Sequence, residues 1–288
     1  MSQQRLLLVD GMAILFRAYF ATSFTGSIRR TSAGVPVNAV HGFVRYFMDA
    51  ISKFDPTHVI CCWDMGSKTF RTEQYDGYKS NRPDAPEDLI PQFELVKEVV
   101  ASFNVPNLGI EGYEADDCIG TLSMMFKDQA DIVIVTGDHD MLQLVDDRVS
   151  VAIMKKGIGN YMVYTPAVLL EERQLTPLQI IDLKGLMGDT SDNYPGVKGI
   201  GEKTALKLIL EHGSIEGLLA NLDAVSKTIR AKIEADLDML HLSRDLATIR
   251  RDAPLAAELA ACGWCYEREM VLSKFEELEF RSLVSLIS

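Results

Sequence analysis

The stretch IVIVTGDHD, residues 132–140, opens with branched apolar residues and closes with Asp138 and Asp140, one residue apart. In a strand, residues two apart point to the same side. A buried parallel strand would therefore deliver two carboxylates side by side at its carboxyl end, where open α/β sheets place their ligands. Two acids held together repel, and a divalent metal between them is the simplest remedy. The same residues also fit a strand followed by an acidic turn, because Gly-Asp is common turn chemistry.

Other acids stand in comparable places. The apolar run RLLLV ends in Asp10, and HVICCW, from residue 58, ends in Asp64. One aspartate at a strand end is routine. With Asp138 there are three, in strands otherwise free of acids, and they point to one edge of a parallel sheet. YEADD contributes Glu114, Asp116 and Asp117 at the start of a helix, with Glu114 and Asp117 sharing a face. The helix dipole favours acids in a first turn, which accounts for one or two of them. GDTSDN adds Asp189 and Asp192, and also fits a polar turn before Pro195. If these nine acids converge, they cannot all be ionised without cations. Oxygen donors without His or Cys favour magnesium or manganese over zinc. Two such ions roughly 3.5–4 Å apart clamp the attacking and leaving oxygens in phosphodiester cleavage.

Two further stretches could hold a nucleic acid. GVKGIGEKTALKLI, residues 196–209, places Gly196, Gly199 and Gly201 around Val197 and Ile200, ahead of a helix starting near Glu202. Glycines permit a tight turn that presents N–H groups at a helix N-terminus, a seat for phosphate. Lys198, Lys203 and Lys207 add charge, and Thr204 lies among them. The pattern is that of helix-hairpin-helix binders of the DNA backbone, which set position and affinity without reading sequence. An ordinary packing corner between helices is the other reading. In FRTEQYDGYKSNR, Arg71, Tyr75, Tyr78 and Arg82 follow spacings of four, three and four, with Lys79 beside them. That is one helical face, on which tyrosines could stack with bases while cations neutralise phosphates. A solvated surface helix fits equally well.

The elements that would position these groups follow from periodicity. Helices are expected through MAILFRAYFA, through AVHGFVRYFMDAISKF with Asn38 as N-cap, over residues 89–102 and from Glu114 to Phe126. The last should bury Cys118, Ile119, Leu122, Met125 and Phe126 on one face. Strands are expected at 5–9, 58–64, 105–110, 132–140 and 149–154, and residues 22–36 read as a loop. Strands alternating with helices argue an α/β fold, a parallel sheet covered on both faces. After about residue 165 the chain turns helical, with one expected strand in TIRRDAPL, residues 248–255, and a closing helix or helix pair over 267–287.

The chain has 288 residues, 47% of them hydrophobic, and a net charge of -12, which by itself argues against a nucleic-acid partner. If much of the acid lies in one metal-filled pocket, that objection weakens. Cys61, Cys62, Cys118, Cys262 and Cys265 suit reduced thiols, and the C-x-x-C of the last pair has no second pair to make a zinc site. No run approaches the ~20 apolar residues of a membrane helix, and the N-terminus is not of signal-peptide type. A soluble, cytoplasmic protein with no membrane partner is expected.

Assembled, these motifs resemble the bacterial and phage 5′-nuclease family: flap endonucleases and the 5′→3′ exonuclease domain of DNA polymerase I. The resemblance runs in order through LLLVDG, VNAVHGF, CCWD, FRTEQYDGYKSNRP, GYEADDCIGTL, VTGDHDMLQLV, LMGDTSDNYPGVKGIGEKTA and FEELEFRSL. It implies a PIN-like nuclease core over residues 1–174 with a helical arch at about 70–92. A helix–three-turn–helix DNA-binding domain over 175–250 and a C-terminal segment over 251–288 that packs back on the core would follow. It implies that Asp10, Asp64, Glu114, Asp116 and Asp138 hold one metal, and that Asp138, Asp140, Asp189 and Asp192 hold a second. Asp117 would act through water, and Lys79 and Arg82 would orient the scissile phosphate. Arg71, Tyr78 and the hairpin would contact DNA, and the hairpin carbonyls would hold a potassium ion. His139 and Tyr194 depart from the usual Lys and Ile, with small effects expected. The implied activity is Mg²⁺-dependent (or Mn²⁺-dependent) 5′→3′ exonuclease and flap endonuclease cleavage, in primer or flap removal. The substrate would be DNA with 5′ flaps or 5′ ends, with RNA primers in hybrids as a further substrate, for a stand-alone, monomeric enzyme. A DNA-junction binder that has lost catalysis, and a related ribonuclease, are the alternatives.

Overall fold

The structure, a computed structural model, describes residues 4–24, 26 and 28–287, so part of the expected 22–36 loop lies outside the described residues. Its centre is β1 (Arg5–Asp10), flanked by β2 (His58–Cys62) and β4 (Asp131–Thr136) in a six-stranded sheet of order β3-β2-β1-β4-β5-β6. β3 is Asn107–Leu108, β5 is Val149–Met154 and β6 is Tyr161–Tyr164. Leu8 sits in register with Ile60 on one side and Ile134 on the other, both parallel. β6 pairs antiparallel with β5, so the sheet is mostly parallel rather than wholly so. YMVY is too short for its periodicity to announce a strand, and the turn before it, at residues 155–160, lets it fold straight back.

Alternation along β1 divides the core. Leu6 and Leu8 face α5 (Ala115–Phe126) and the helical domain, while Leu7 and Val9 face α1 (Gly11–Ser23), α2 (Asn38–Phe54) and α4 (Gln92–Ser102). All four are fully buried, each worth about 1.5–3 kcal/mol. The remaining helices are α3 (Phe70–Gln74), α6 (Pro166–Arg173), α7 (Pro177–Met187), α8 (Glu202–His212), α9 (Ile215–Ala220), α10 (Lys227–Ala235), α11 (Leu237–Ala247) and α12 (Arg268–Glu277). α7 packs on α8 and α11 in the helical part. Phe275, Phe280, Leu283 and Ile287 bury against α2 and α4. Among the described residues no helix is long and apolar enough to cross a membrane.

Several local expectations change. Residues 248–255 form no strand; their amides bond to side chains of α5 instead, Arg250 N to Asp117 Oδ1 and Ala253 N to Thr121 Oγ1. Asn38 is not the N-cap of α2. It is buried, donates to Thr22 Oγ1 and accepts from Gln92 Nε2, while Gln92 Oε1 takes the amides of Ala39 and Val40 and so caps α2 from α4. Met125 lies at the surface end of its helix, partly exposed rather than in the core. The 70–82 segment is not one helix: α3 ends at Gln74, and the chain then reverses through turns with Lys79 at φ 54. A backbone bond from Lys79 N to Asp192 O (2.8 Å) holds that reversal.

Candidate active site

The sheet places the acids. β1 is the strand at which the order reverses, and ligands of open α/β sheets lie beyond the carboxyl ends of strands at such a point. Asp10 closes β1 and caps α1, its Oδ1 accepting from Ala13 N at 3.0 Å. Asp64 lies two residues beyond β2 and accepts from Ala115 N at 2.7 Å. Asp116 is in the first turn of α5. Asp138 follows β4, but not as part of the strand. The strand ends at Thr136, and Asp138 caps a 3-10 turn, His139–Leu144, by accepting from Asp140 N at 2.8 Å. Asp138 and Asp140 are therefore brought together by a capped turn and not by the two-residue period of a strand.

Asp10, Asp64, Glu114, Asp116 and Asp138 line one cavity of about 240 Å³, together with Lys79 and Arg82. Asp138, Asp140, Asp189 and Asp192 line an adjoining one of about 430 Å³ with Lys184. Asp138 is common to both. The electrostatics are those of a site short of positive charge. Burial pushes the Asp10 carboxyl up to about 6, against a hydrogen bond from Thr136, and the charges of Asp138 and Asp64 push the same way. Burial, then the neighbouring Asp138, Asp10 and Glu114, raises Asp116 well above the usual carboxylate range. Burial and Glu114 raise Asp64, against Ala115 N, Lys79 and Arg82. Burial and Asp138 lift Asp140 to about 7.

Cations of the chain answer part of this charge. Lys79 Nζ lies 2.5 Å from Glu114 Oε1 and 3.9 Å from Asp192 Oδ2, and Arg82 donates to Asp192 Oδ1 at 2.6 Å. Lys184 bridges Asp140 Oδ1, at 2.6 Å, and Asp189 Oδ2. As placed, among the described residues, no three carboxylate, imidazole or thiol groups close around one point tightly enough to hold an ion. The fit to a divalent metal therefore rests on donor chemistry: an all-oxygen set whose buried members hold their protons abnormally tightly for want of a cation. The donors fit magnesium or manganese in kind.

Three expected roles do not survive the geometry. Asp117 is fully buried and does not line the cavity. It receives Arg71 through both oxygens, at 2.7 and 2.8 Å, and the amides of Glu114 and Arg250. With every lone-pair direction engaged by protein, it has no place for a bridging water. Arg71 is buried with it and also donates to the carbonyls of Leu246 and Thr248, so it is not presented to DNA. Tyr78 is buried too, its hydroxyl 3.1 Å from both Glu114 Oε2 and Asp192 Oδ2, and its ring stacks on Tyr194 rather than facing solvent. Sequence spacing put Arg71 and Tyr78 on an exposed helical face that does not form.

The hairpin also divides. Val197 and Ile200 are buried anchors, and Gly196 turns inward, its amide donating to Ser243 Oγ at 3.1 Å. A Cβ on Gly196, at φ +61, would stand 2.3 Å from the amide nitrogen of Gly188, which sets the two glycines back to back. Lys198, Gly199, Gly201, Lys203 and Lys207 remain exposed, with Thr204 half-buried. His139 faces Arg173 at 3.0 Å, and Tyr194 pairs with the Asp189 backbone in both directions.

Sequence reasoning missed Lys184 and Thr136. Lys184 interrupts the apolar run IIDLKGLM five residues before Asp189, a lone cation upstream of expected acids. Thr136 directly precedes Gly-Asp; its hydroxyl donates to Asp10 Oδ2 at 2.6 Å and accepts from Asp138 N at 2.9 Å, tying β1 to β4. It also missed the clasp between the 77–82 turns and the 189–193 loop, in which Asn81 donates to Thr190 O and Asn193 to Gly77 O.

Comparison with known proteins agrees with this architecture. Residues 5–174 match the family described as 5′-3′ exonuclease, N-terminal resolvase-like domain, and residues 175–269 match 5′-3′ exonuclease, C-terminal SAM fold. The chain is 54% identical over 259 residues to a 5′-3′ exonuclease of Bacillus subtilis, covering 90% of this chain and 88% of that one. It is 40% identical to DNA polymerase I of Bacillus caldotenax over 98% of its own length but only 32% of that protein. Among solved structures, T5 D15 protein co-crystallised with metal ions superposes with a TM-score of 0.70 at 23% identity, covering 96% of this chain and 99% of that one. The T5 D15 flap endonuclease in a pseudo-enzyme-product complex with DNA and metal ions superposes with a TM-score of 0.69 at 24% identity, covering 96% of this chain and 100% of that one. With both halves matched in order, the chain belongs to the 5′-3′ exonuclease family.

Proposed function

We propose that this protein is a divalent-metal-dependent 5′ nuclease of DNA, cleaving at 5′ ends or 5′ flaps. One observation carries the reading: Asp10, Asp64, Asp116 and Asp138, from four separate elements, share one small cavity whose charge the chain itself leaves under-compensated. The naming of the Bacillus subtilis relative as an exonuclease, at 54% identity, supports it. Residues 1–174 would be the nuclease core, 175–250 the duplex-binding domain and 251–288 a strap on the core.

Asp10, Asp64, Glu114, Asp116 and Asp138 would hold one magnesium or manganese ion, and Asp138, Asp140, Asp189 and Asp192 a second. When bound, the ions supply Lewis-acid stabilisation of the attacking and leaving oxygens. Lys79 and Arg82, now on Glu114 and Asp192, would turn to the scissile phosphate as metal takes over the acids. Water attacks phosphorus, the bond to the 3′ oxygen breaks, and the proton ends on that oxygen. The products are a 5′-phosphate and a 3′-hydroxyl. Lys198, Lys203 and Lys207 would hold the duplex backbone. RNA primers in hybrids, a monomeric state and a cytoplasmic location belong to the same reading. Junction binding without cleavage is not favoured, because every expected acid is present.

The test is cleavage of a 5′-flap substrate with Mg²⁺ by Asp138→Ala and Asp140→Ala proteins, with product ends mapped. Loss of cleavage with DNA binding retained is expected. Full activity in both variants sinks the reading.

A further inference from the structure

The hairpin that leads into α8 is held by α10. Burial of Val197 and Ile200 leaves the backbone of Lys198 and Gly199 at the surface, within reach of side chains from α10. Lys232 Nζ donates to the Gly199 carbonyl at 2.8 Å. Asp236, one turn further along, accepts from the Lys198 amide at 2.8 Å. A cation thus meets the carbonyl and an anion meets the amide, from residues four apart. Gly199, at φ +79, keeps the approach open: a Cβ there would stand 2.9 Å from Lys232 Nζ.

The family resemblance expects a potassium ion on hairpin carbonyls, and this arrangement does not fit that expectation. An ammonium already rests on the Gly199 carbonyl, and a second positive charge a few ångströms away would be repelled. We propose that Lys232 takes the place of potassium in this hairpin, pre-setting the Gly199 carbonyl and supplying the cation next to the duplex phosphate, so that DNA binding does not distinguish potassium from sodium. The inference rests on the duplex-binding role proposed above for the hairpin.

The experiment measures binding of the full chain to a fluorescent 5′-flap duplex by anisotropy, in EDTA, in potassium or sodium chloride at equal ionic strength. The unaltered protein should show affinities within about twofold of each other. Lys232→Met should weaken binding about fivefold or more in sodium and lower the salt slope by about one, as loss of a phosphate-facing cation does. Part of that loss should return in potassium, because the Gly199 carbonyl is then free for the ion. Lys232→Arg, which keeps the charge, should bind as the unaltered protein does, separating this role from a folding defect. Crystals soaked in rubidium should show no anomalous peak at Gly199 in the unaltered protein and a peak in Lys232→Met. Potassium-selective binding by the unaltered protein, a rubidium peak at its Gly199 carbonyl, or a Lys232→Met protein unchanged in both salts overturns this inference alone. Failure to bind the flap in either salt overturns the duplex-binding reading and this inference together.

Discussion

Replacing Arg71 with methionine separates a structural role from a DNA-contacting one. The guanidinium is 2% exposed and makes five hydrogen bonds: two to Asp117, one to Glu114 and one each to the carbonyls of Leu246 and Thr248. Burial opposes its charge, yet bonding to Asp117 and the charges of Asp117 and Glu114 outweigh that and raise its proton affinity. Methionine fills much of the volume but strands the fully buried Asp117 carboxylate. Removing one partner of a buried pair costs about 3–5 kcal/mol, a large share of the roughly 5–15 kcal/mol that holds a protein folded. At roughly 2–4 °C per kcal/mol, the melting temperature should fall by about 6–20 °C. Arg71→Met combined with Asp117→Asn removes the stranded charge, so the pair should cost about 1–3 kcal/mol less than the sum of the single changes. Urea unfolding of the four proteins measures this cycle. A single-variant cost below about 1 kcal/mol, or strict additivity, would refute the buried-network argument. Weakened flap binding at unchanged stability would restore Arg71 to the DNA interface.

Asp138 lines both cavities and Asp140 only one, so Asp138→Ala should impair metal binding at both sites and Asp140→Ala chiefly at the second. Each should lose more than about 100-fold in cleavage, since even outer-shell partners cost about 10–100-fold; indistinguishable metal titrations would count against the division. Gly196→Ala should cost more than the roughly 1–3 kcal/mol of positive-φ strain, because its Cβ meets backbone at 2.3 Å; a melting curve like that of the unaltered protein would contradict this. Burial and neighbouring acids hold Asp10 at about 6 and Asp140 at about 7, against 3.8 ordinarily. Groups whose pKa is higher in the folded state stabilise it increasingly as pH falls through about 7 toward 4, and that contribution is absent above about 7. In EDTA the melting temperature should therefore be higher at pH 6 than at pH 8, and Mg²⁺ should close the gap at pH 8; a flat profile in EDTA disagrees.

The distance between sequence and structure is clearest in the acids themselves. Asp10, Asp64 and Asp138 announce a shared edge because each follows an apolar run, and a parallel sheet must bring such ends together. The hairpin is equally legible, because glycine spacing before a helix is a backbone requirement that no tertiary contact alters. Arg71 and Tyr78 lie elsewhere than expected for one reason: spacings of three and four assume a continuous helix, and α3 stops before a left-handed Lys79 turns the chain back. Asp117 differs for another, because its partner Arg71 is remote in sequence. Lys184, Thr136 and Lys232 were harder to read, since part of what each does falls on a residue distant in sequence: Lys184 on Asp140, Thr136 on Asp10 and Lys232 on Gly199.

By itself, then, the sequence determined the α/β class, the carboxyl edge at which acids collect and the glycine-turned hairpin ahead of α8. These follow from local periodicity and from the conformations that Gly allows. Only the tertiary structure decided which charges meet. It buried Arg71 on Asp117, set Lys184 between Asp140 and Asp189, and laid Lys232 on the Gly199 carbonyl. The physical reason is that a charge's role depends on its partner and its burial, and both are set by elements remote along the chain.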